Sequence, residues 1–449
     1  MFEKLKNAIA KAVKEAGLEE YEIYYATDSN SSVGTLNKEV NSFSSGVHGG
    51  ICLRVPVEGR MGYASTELLT EDEMSELARR AIENARAIDK PDTVGIFKGS
   101  ESYEQPKSNS FTPLTAGELR TVATEIADAL YAGSDKIQSG TSSQAISAGF
   151  TIRIANSHGL DLVNTVGINA LVAEAVVHDK GESQADYTLR EYKAKTKAET
   201  VAEMSREATE KAMDKIGAEL VPSGKYNIVF SGDQMRSILA VFSSAFSGKQ
   251  VLDGLSLLKG KLGEKIASDI VNITDDPQRD GVSVGTTFDA EGVATHRFSV
   301  VEQGVLKTYL HNRETALAME TVTTANASKA DYSSSVAVSP HSFCIEPGEL
   351  SLDELFAKAG DGIYVTEIKG LHAGANPVTG DFSLESAGFL IKDGKRAGAV
   401  KSFTVAGNFF ALLGQITALG NKLELGVPTG FTGFGAPDVL VPDMSVAGK

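Results

Sequence analysis

Apolar residues recur at helical spacing from the start of the chain, at Phe2, Leu5, Ile9 and Val13, with Glu3, Lys4, Lys6 and Lys11 between them. That period predicts an amphipathic helix. The same spacing returns at Met74, Leu77, Ala81, Ile82, Ala85 and Ile88, and again at Leu119, Val122, Ile126 and Leu130 before Gly133. Both stretches follow a Ser/Thr-x-x-Glu/Gln box, Thr70 with Glu73 and Thr115 with Glu118. In such a box two side chains satisfy free N–H groups of the first helical turn. Ser231 with Gln234 and Ser351 with Glu354 repeat the signal. An alanine- and charge-rich stretch from Glu191 to Ile216, ended by Gly217 and Pro222, predicts a further helix.

Strand patterns fill the intervals at Glu20 to Tyr25, Gly50 to Val57, Thr151 to Asn156, Val163 to Val177, and nearly everything after Val282. Asp289-Ala-Glu-Gly292, Glu302-Gln-Gly304 and Lys392-Asp-Gly394 read as hairpin turns of an antiparallel sheet. The expected class is α+β: mixed regions over 1–110 and 111–218, and a β-rich antiparallel domain over 219–449. Ser100 to Pro113 is the clearest linker, and the glycine- and proline-rich tract Leu419 to Pro442 is expected to be irregular but ordered. The first two regions both run from helix to strands, a pattern too common to establish a duplication.

At 449 residues the chain exceeds the size of one hydrophobic core. Its 42% apolar and 23% charged residues are ordinary globular usage. Forty-three basic against fifty-nine acidic residues give a net charge of −16, which repels phosphate backbones. Nucleic acid is therefore not an expected partner. No apolar run approaches membrane-spanning length, and the charged N-terminal helix does not resemble a signal peptide. Two cysteines, Cys52 and Cys344, make no disulfide framework. A cytoplasmic location is expected.

Candidate chemistry is sparse. No histidine is followed by glutamate, so an HExxH-type zinc helix is absent in every register. Gly281-Val-Ser283-Val-Gly285 is followed by a strand and turn, whereas a nucleophile elbow needs a helix there. Gly254 to Leu262 has one residue too many for a phosphate loop and lacks its Ser/Thr. His311 and Glu314 read as a surface pair. The densest segment is Gly370 to Ser383, where His372, Asn376, Thr379, Gly380, Asp381 and Ser383 crowd a turn that either shapes a cleft or is purely structural.

At this segment the chain resembles the TldD/PmbA family, also known as modulators of DNA gyrase. The matching residues are Asn376 to Ser383, Ser386 to Ile391, Asp393-Gly394, Val405 to Asn408, Phe288 to Gly292, Gly304 to Leu306, Leu262 to Lys265 and Phe434 to Pro437. Arg60 to Ser65 and Ile154 to Ser157 extend the likeness over essentially the whole chain. The resemblance implies one half of a cytoplasmic metallopeptidase built from two related subunits, TldD and TldE (PmbA). That enzyme acts on unfolded or small peptides, including an antitoxin and a peptide-antibiotic precursor.

In TldD an HExxxH helix and a late cysteine hold zinc, and the glutamate serves as general base. The corresponding helix here is the one opened by Ser231, in which Ala240 and Val241 stand for the leading His-Glu and Ala245 for the second histidine. Leu425 to Gly430 likewise offers no cysteine. The resemblance thus implies a TldE-like subunit with no cofactor of its own, a zinc-bearing TldD-like partner, and a peptide substrate. Met235, Ile238, Leu239, Phe242 and Phe246 would pack as core, and the His372 to Ser383 residues would line a substrate passage or the subunit contact. A homodimer in isolation is the other assembly expected. Two alternatives remain: a stand-alone peptide-binding or scaffolding protein with an exposed strand edge, and a hydrolase using His372 with Asp381 or Ser383.

Overall fold

The computed structural model describes residues 2–89, 91–107, 111–192 and 197–449. The N-terminal half contains α1 (Phe2–Glu15), β1 (Glu22–Leu36), β2 (Glu39–Val57), β3 (Arg60–Thr66), α2 (Glu71–Ala87) and α3 (Ala116–Gly133). It continues with β4 (Ser142–Asn156), β5 (Asp161–Asp179), β6 (Glu182–Glu191) and α4 (Lys197–Asp214). The strands form one antiparallel sheet in the order β3-β2-β1-β4-β5-β6. Regions 1–110 and 111–218 contribute three strands each to it.

Each region lays a pair of helices on that sheet. Leu5, Ile9 and Val13 of α1 and Met74, Leu77 and Ala81 of α2 pack on Ile23, Ile51 and Leu53. Leu119, Val122 and Ile126 of α3 and Met204 and Ala208 of α4 pack on Ala145, Leu171 and Ala173. All four boxes cap helices: Thr115 and Ser351 form complete capping boxes, and Thr70 and Ser231 accept from the Glu73 and Gln234 amides at 3.3 and 3.4 Å. The expected helix from Glu191 runs from Lys197 to Asp214; residues 193–196 lie outside the described part, as do 108–110 of the expected linker.

The C-terminal half follows with β7 (Gly224–Phe230), α5 (Gly232–Phe242), α6 (Gly248–Leu252), β8 (Ile273–Asp275), β9 (Phe298–Glu302), β10 (Val305–Leu306) and α7 (Arg313–Ala318). Next come β11 (Ala327–Ser328), β12 (Ala337–Val338), β13 (Ser342–Ile345), α8 (Leu352–Ala359), β14 (Gly362–Lys369), α9 (Leu371–Gly374), β15 (Asp381–Lys392) and β16 (Lys395–Asn408). The last elements are α10 (Phe409–Gln415), β17 (Ala418–Leu419), β18 (Glu424–Leu425), β19 (Gly433–Ala436) and β20 (Val439–Ala447). One sheet runs β10-β9-β8-β13-β19-β18 and another β16-β15-β14-β7-β20-β17. Pairing of β16 with β20 closes five strands of the latter into a ring. The architecture is α+β, with a β-rich second half. The halves meet where Tyr24, Cys52 and Ile154 of the first sheet, with Leu160 from the β4–β5 connection, pack against Phe288, Ala290 and Ala327.

Two local expectations are corrected. The late glycine- and proline-rich tract is not irregular throughout, since Leu419 of β17, all of β18 and β19, and the start of β20 fall within it. His311 is not a surface residue: it is 1% exposed and bonds Thr315 Oγ1 through Nδ1 at 3.1 Å. Burial pushes its pKa down to about 4. An unfolded histidine titrates near 6.5, so the native state binds fewer protons, and stability present above pH 6.5 is lost as pH falls toward 4. At pH 5 the expected loss from this group is about 2 kcal/mol relative to pH 7.5. Urea unfolding of wild type and His311→Gln at both pH values checks this; equal acid sensitivity of the two would refute it.

Candidate functional site

The turn singled out in the sequence is built from its own polar groups. Asn376 Oδ1 accepts from the amides of Val378 and Thr379, and Gly380 N–H donates to Asn376 O. Asn408 clamps the turn from β16, donating through Nδ2 to Thr379 O at 2.8 Å and to Asp381 Oδ1 at 2.9 Å. Bonds from Asn408 and then Thr379 hold the Asp381 carboxyl below the usual range. Gly380 has a φ of 80°, and a β-carbon there would stand 2.6 Å from the Phe410 ring. Asn376, Thr379, Gly380 and Asp381 are thus brought together. His372 on α9 and Ser383 on β15 are exposed and share no hydrogen bond with Asp381 or with each other among the described residues. None of the six lines the main cleft, although Leu371 and Glu385 do.

That cleft, of about 1550 Å³, lies between β6 and α4 on one side and α5, β14, β15, β16 and residues 421–428 on the other. Ion pairs cross between its walls. Lys215, held by Asp186 of its own wall at 2.9 Å, reaches across to Glu367 at 2.7 Å, Lys401 reaches Glu182 at 2.6 Å, and Arg396 pairs with Asp214. The start of α5 faces the cleft, where Asp438 Oδ1 accepts from Gly232 N–H at 3.0 Å and lies 3.4 Å from the Tyr364 hydroxyl. Burial raises both the Asp438 carboxyl and the Tyr364 phenol above their ordinary pKa values.

Alternation of faces along α5 follows from its sequence. Met235, Ile238, Leu239 and Phe242 point into the core, and Asp233, Arg236 and Ser237 form the polar stripe. A smaller pocket of about 240 Å³ opens against that stripe, lined by Arg236, Ser237 and Ala240 from α5 and by Gly426, Thr429 and Phe434 among others. A β-carbon at position 426 would stand 2.4 Å from Arg236 Nη1, so the guanidinium packs closely on the Gly426 backbone in this conformation. Ala240 is half-buried in this pocket, Val241 packs toward the core, and Ala245 is buried in the short turn of helix after α5. Arginine, alanine, serine, threonine and glycine do not make a zinc-binding set, which requires imidazole, thiolate or carboxylate donors. Among the described residues no group of three His, Cys, Asp or Glu could hold a metal ion.

Arg236 and the 426–429 contact were missed at the sequence level, where α5 was read for its cap, its apolar face and the positions of the missing ligands. The Asp233, Arg236, Ser237 spacing on that helix was the available signal.

The profile described as "PmbA/TldA metallopeptidase C-terminal domain" matches residues 223–448, and that of the same family's domain 1 matches residues 21–85. The chain belongs to the TldD/PmbA metallopeptidase family. It is 29% identical over 443 residues to a metalloprotease of Methanothermobacter thermautotrophicus, covering 96% of this chain and 93% of that one. It is 23% identical to the metalloprotease PmbA of Escherichia coli O157:H7, covering 93% and 90%. A Thermotoga maritima crystal structure described as a proposed modulator of a DNA gyrase superposes with a TM-score of 0.89 at 27% identity, covering 100% of both chains. TldE of Thermococcus kodakarensis shares the fold, with a TM-score of 0.88 at 21% identity over 99% and 100% of the two chains. No helix among the described residues is long and apolar enough to cross a membrane.

Proposed function

We propose that this chain is the zinc-free subunit of a cytoplasmic TldD/TldE-type peptidase. It lines the passage for unfolded or small peptides and leaves bond cleavage to a zinc-bearing, TldD-like sibling. The observation that carries this is the α5 pocket, where Arg236, Ala240 and Gly426 stand in place of electron-pair donors. A general-base mechanism on a zinc-bound water has no ligands to start from there. Family membership and the cleft beside α5 support the peptidase context. The exposed turn around His372, away from the cleft lining, is assigned to the subunit contact.

Metal analysis of the purified chain and a peptidase assay on an unfolded peptide, with and without a TldD-like protein, test the proposal. The expected result is no stoichiometric zinc, no hydrolysis alone, and chelator-sensitive hydrolysis on mixing. Stoichiometric zinc with chelator-sensitive cleavage by the lone chain would overturn it.

An unpaired strand edge favours a second role, peptide binding without any enzyme. Among the described residues β3 pairs only with Ile51–Val57 of β2, and no Asp, Glu, Lys or Arg occurs between Glu39 and Arg54. Phe43 and Val47 on this edge are 60% and 73% exposed. Such an edge accepts an extended chain by strand addition. Peptide affinity unchanged by the partner, with no hydrolysis in the mixture, selects this role over the first.

A further inference from the structure

The pocket beside α5 is built around a cation with spare donors. Arg236 commits Nε to Asp233 Oδ1 at 3.0 Å, one turn earlier on the same helix. Among the described residues, Nη1 and Nη2 have no hydrogen-bond acceptor. The other polar groups lining the pocket are hydroxyls. Ser237 Oγ donates to Asp233 O at 2.8 Å and Thr432 Oγ1 to Pro340 O at 3.1 Å, whereas Thr429 Oγ1 makes no hydrogen bond among the described residues. Three donor groups, Nη1, Nη2 and the Thr429 hydroxyl, are therefore available around one small space. The nearest acidic neighbour on β18, Glu424, is itself paired with Lys422 at 2.5 Å.

A guanidinium edge with two free nitrogens matches the two oxygens of a carboxylate in a planar, bidentate fork. The pocket shares Arg236, Ser237, Gly426 and Val427 with the large cleft, so one ligand can occupy both. At about 240 Å³ it has room for the end of a chain and not for a folded segment. We propose that this pocket receives the C-terminal carboxylate of a peptide lying in the cleft, held by Arg236 with Thr429 as the second donor. The space in which a catalytic relative needs zinc then serves in this chain as an anchor for the peptide's end. No bond is made or broken at this site.

The test uses the full-length chain and a nine-residue, alanine- and serine-rich peptide carrying fluorescein at its N-terminus, as the free acid and as the C-terminal amide. Binding is read by fluorescence anisotropy. The free acid is expected to bind about tenfold more tightly than the amide, the discrimination typical of a charge-assisted, bidentate contact. Arg236→Gln is expected to bring the acid to the affinity of the amide while leaving the amide unchanged. Thr429→Ala is expected to narrow the difference, and Arg236→Lys to restore part of it. Thermal unfolding of each variant confirms its fold, and Thr429→Ala keeps the test decisive should either Arg236 variant unfold.

Equal affinity of acid and amide, no binding of either, or discrimination that survives Arg236→Gln would each overturn the proposal. An amidated peptide ending in glutamate that matches the free acid would overturn the assignment to the main-chain carboxylate. Because the site rests on the zinc-free role proposed above, zinc is measured on the same sample. A zinc-loaded chain defeats that role, and a zinc-free chain indifferent to the carboxylate defeats only this one.

Discussion

Replacing Arg54 by alanine is expected to destabilise the protein by about 3–5 kcal/mol, the cost of stranding one charge of a buried pair. Arg54 and Glu22 are register partners on β2 and β1, 3% and 1% exposed, with Nη1 to Oε1 at 2.8 Å. The Arg54 guanidinium also lies over the Tyr63 ring, 5.5 Å from its centroid. Glu22 Oε2 and Arg54 Nε are buried without a hydrogen-bond partner among the described residues, so the pair is not fully satisfied even when intact. Removing the guanidinium leaves the buried carboxylate without its ion-pair partner, with the Lys329 ammonium as the remaining cation that acts on it.

The double variant Glu22→Leu/Arg54→Met separates the two parts of that cost. It removes both charges and keeps apolar volume, and is expected to lie within about 1–2 kcal/mol of wild type or above it, because the pair is itself costly to desolvate. The midpoint of the first urea-unfolding transition measures both variants. A single variant as stable as wild type would show that water reaches Glu22.

The legible parts of the sequence were those in which a local rule and the global fold agree. Helix starts were readable because a capping box depends on residues three apart, and Thr115 and Ser351 meet that need with no help from tertiary structure. The serine-rich hairpin was not readable. Thr27 to Gly49 has few large apolar residues and both of its faces are largely exposed in the outer part of β2, so alternation carries no signal there. Ser31 and Ser32 instead bond Ser45 and Ser44 across the strands at 2.9 Å, a pattern that becomes visible only once the register is known.

His311 failed for the opposite reason. Its neighbours Asn312, Arg313 and Glu314 are polar, yet the loop carrying it is folded inward by bonds from Thr323 and Thr324 to its carbonyl. At the candidate site the turn was recognisable from Asn376, Gly380 and Asp381, whose chemistry acts within five residues. Arg236 was not, because the pocket it lines is completed by Gly426, 190 positions away in the chain.

Phe242→Ala is expected to cost about 3–5 kcal/mol, since it removes a fully buried ring that the surroundings cannot replace. The Phe242 ring stacks on Phe409 with centroids 4.7 Å apart and planes 9° from parallel, and lies 6.4 Å from Phe382. Through those two rings it ties α5 to the turn before β15. Phe409 is the first residue of α10 and donates its N–H to Gly380 O at 2.7 Å, and Phe382 follows Asp381 directly.

Loss of the ring therefore does more than open a cavity, because it also loosens the register between the pocket helix and the Asn376 to Asp381 turn. Faster hydrogen exchange at the amides of Phe409 and Gly380 is expected alongside the drop in urea midpoint. Phe242→Leu keeps most of the volume but loses the stacking, and is expected to cost about 1–2 kcal/mol with little change in exchange. If the alanine variant accelerates exchange only within α5, the rings fill space without coupling the two elements, and the turn is held by its own hydrogen bonds and the Asn408 clamp.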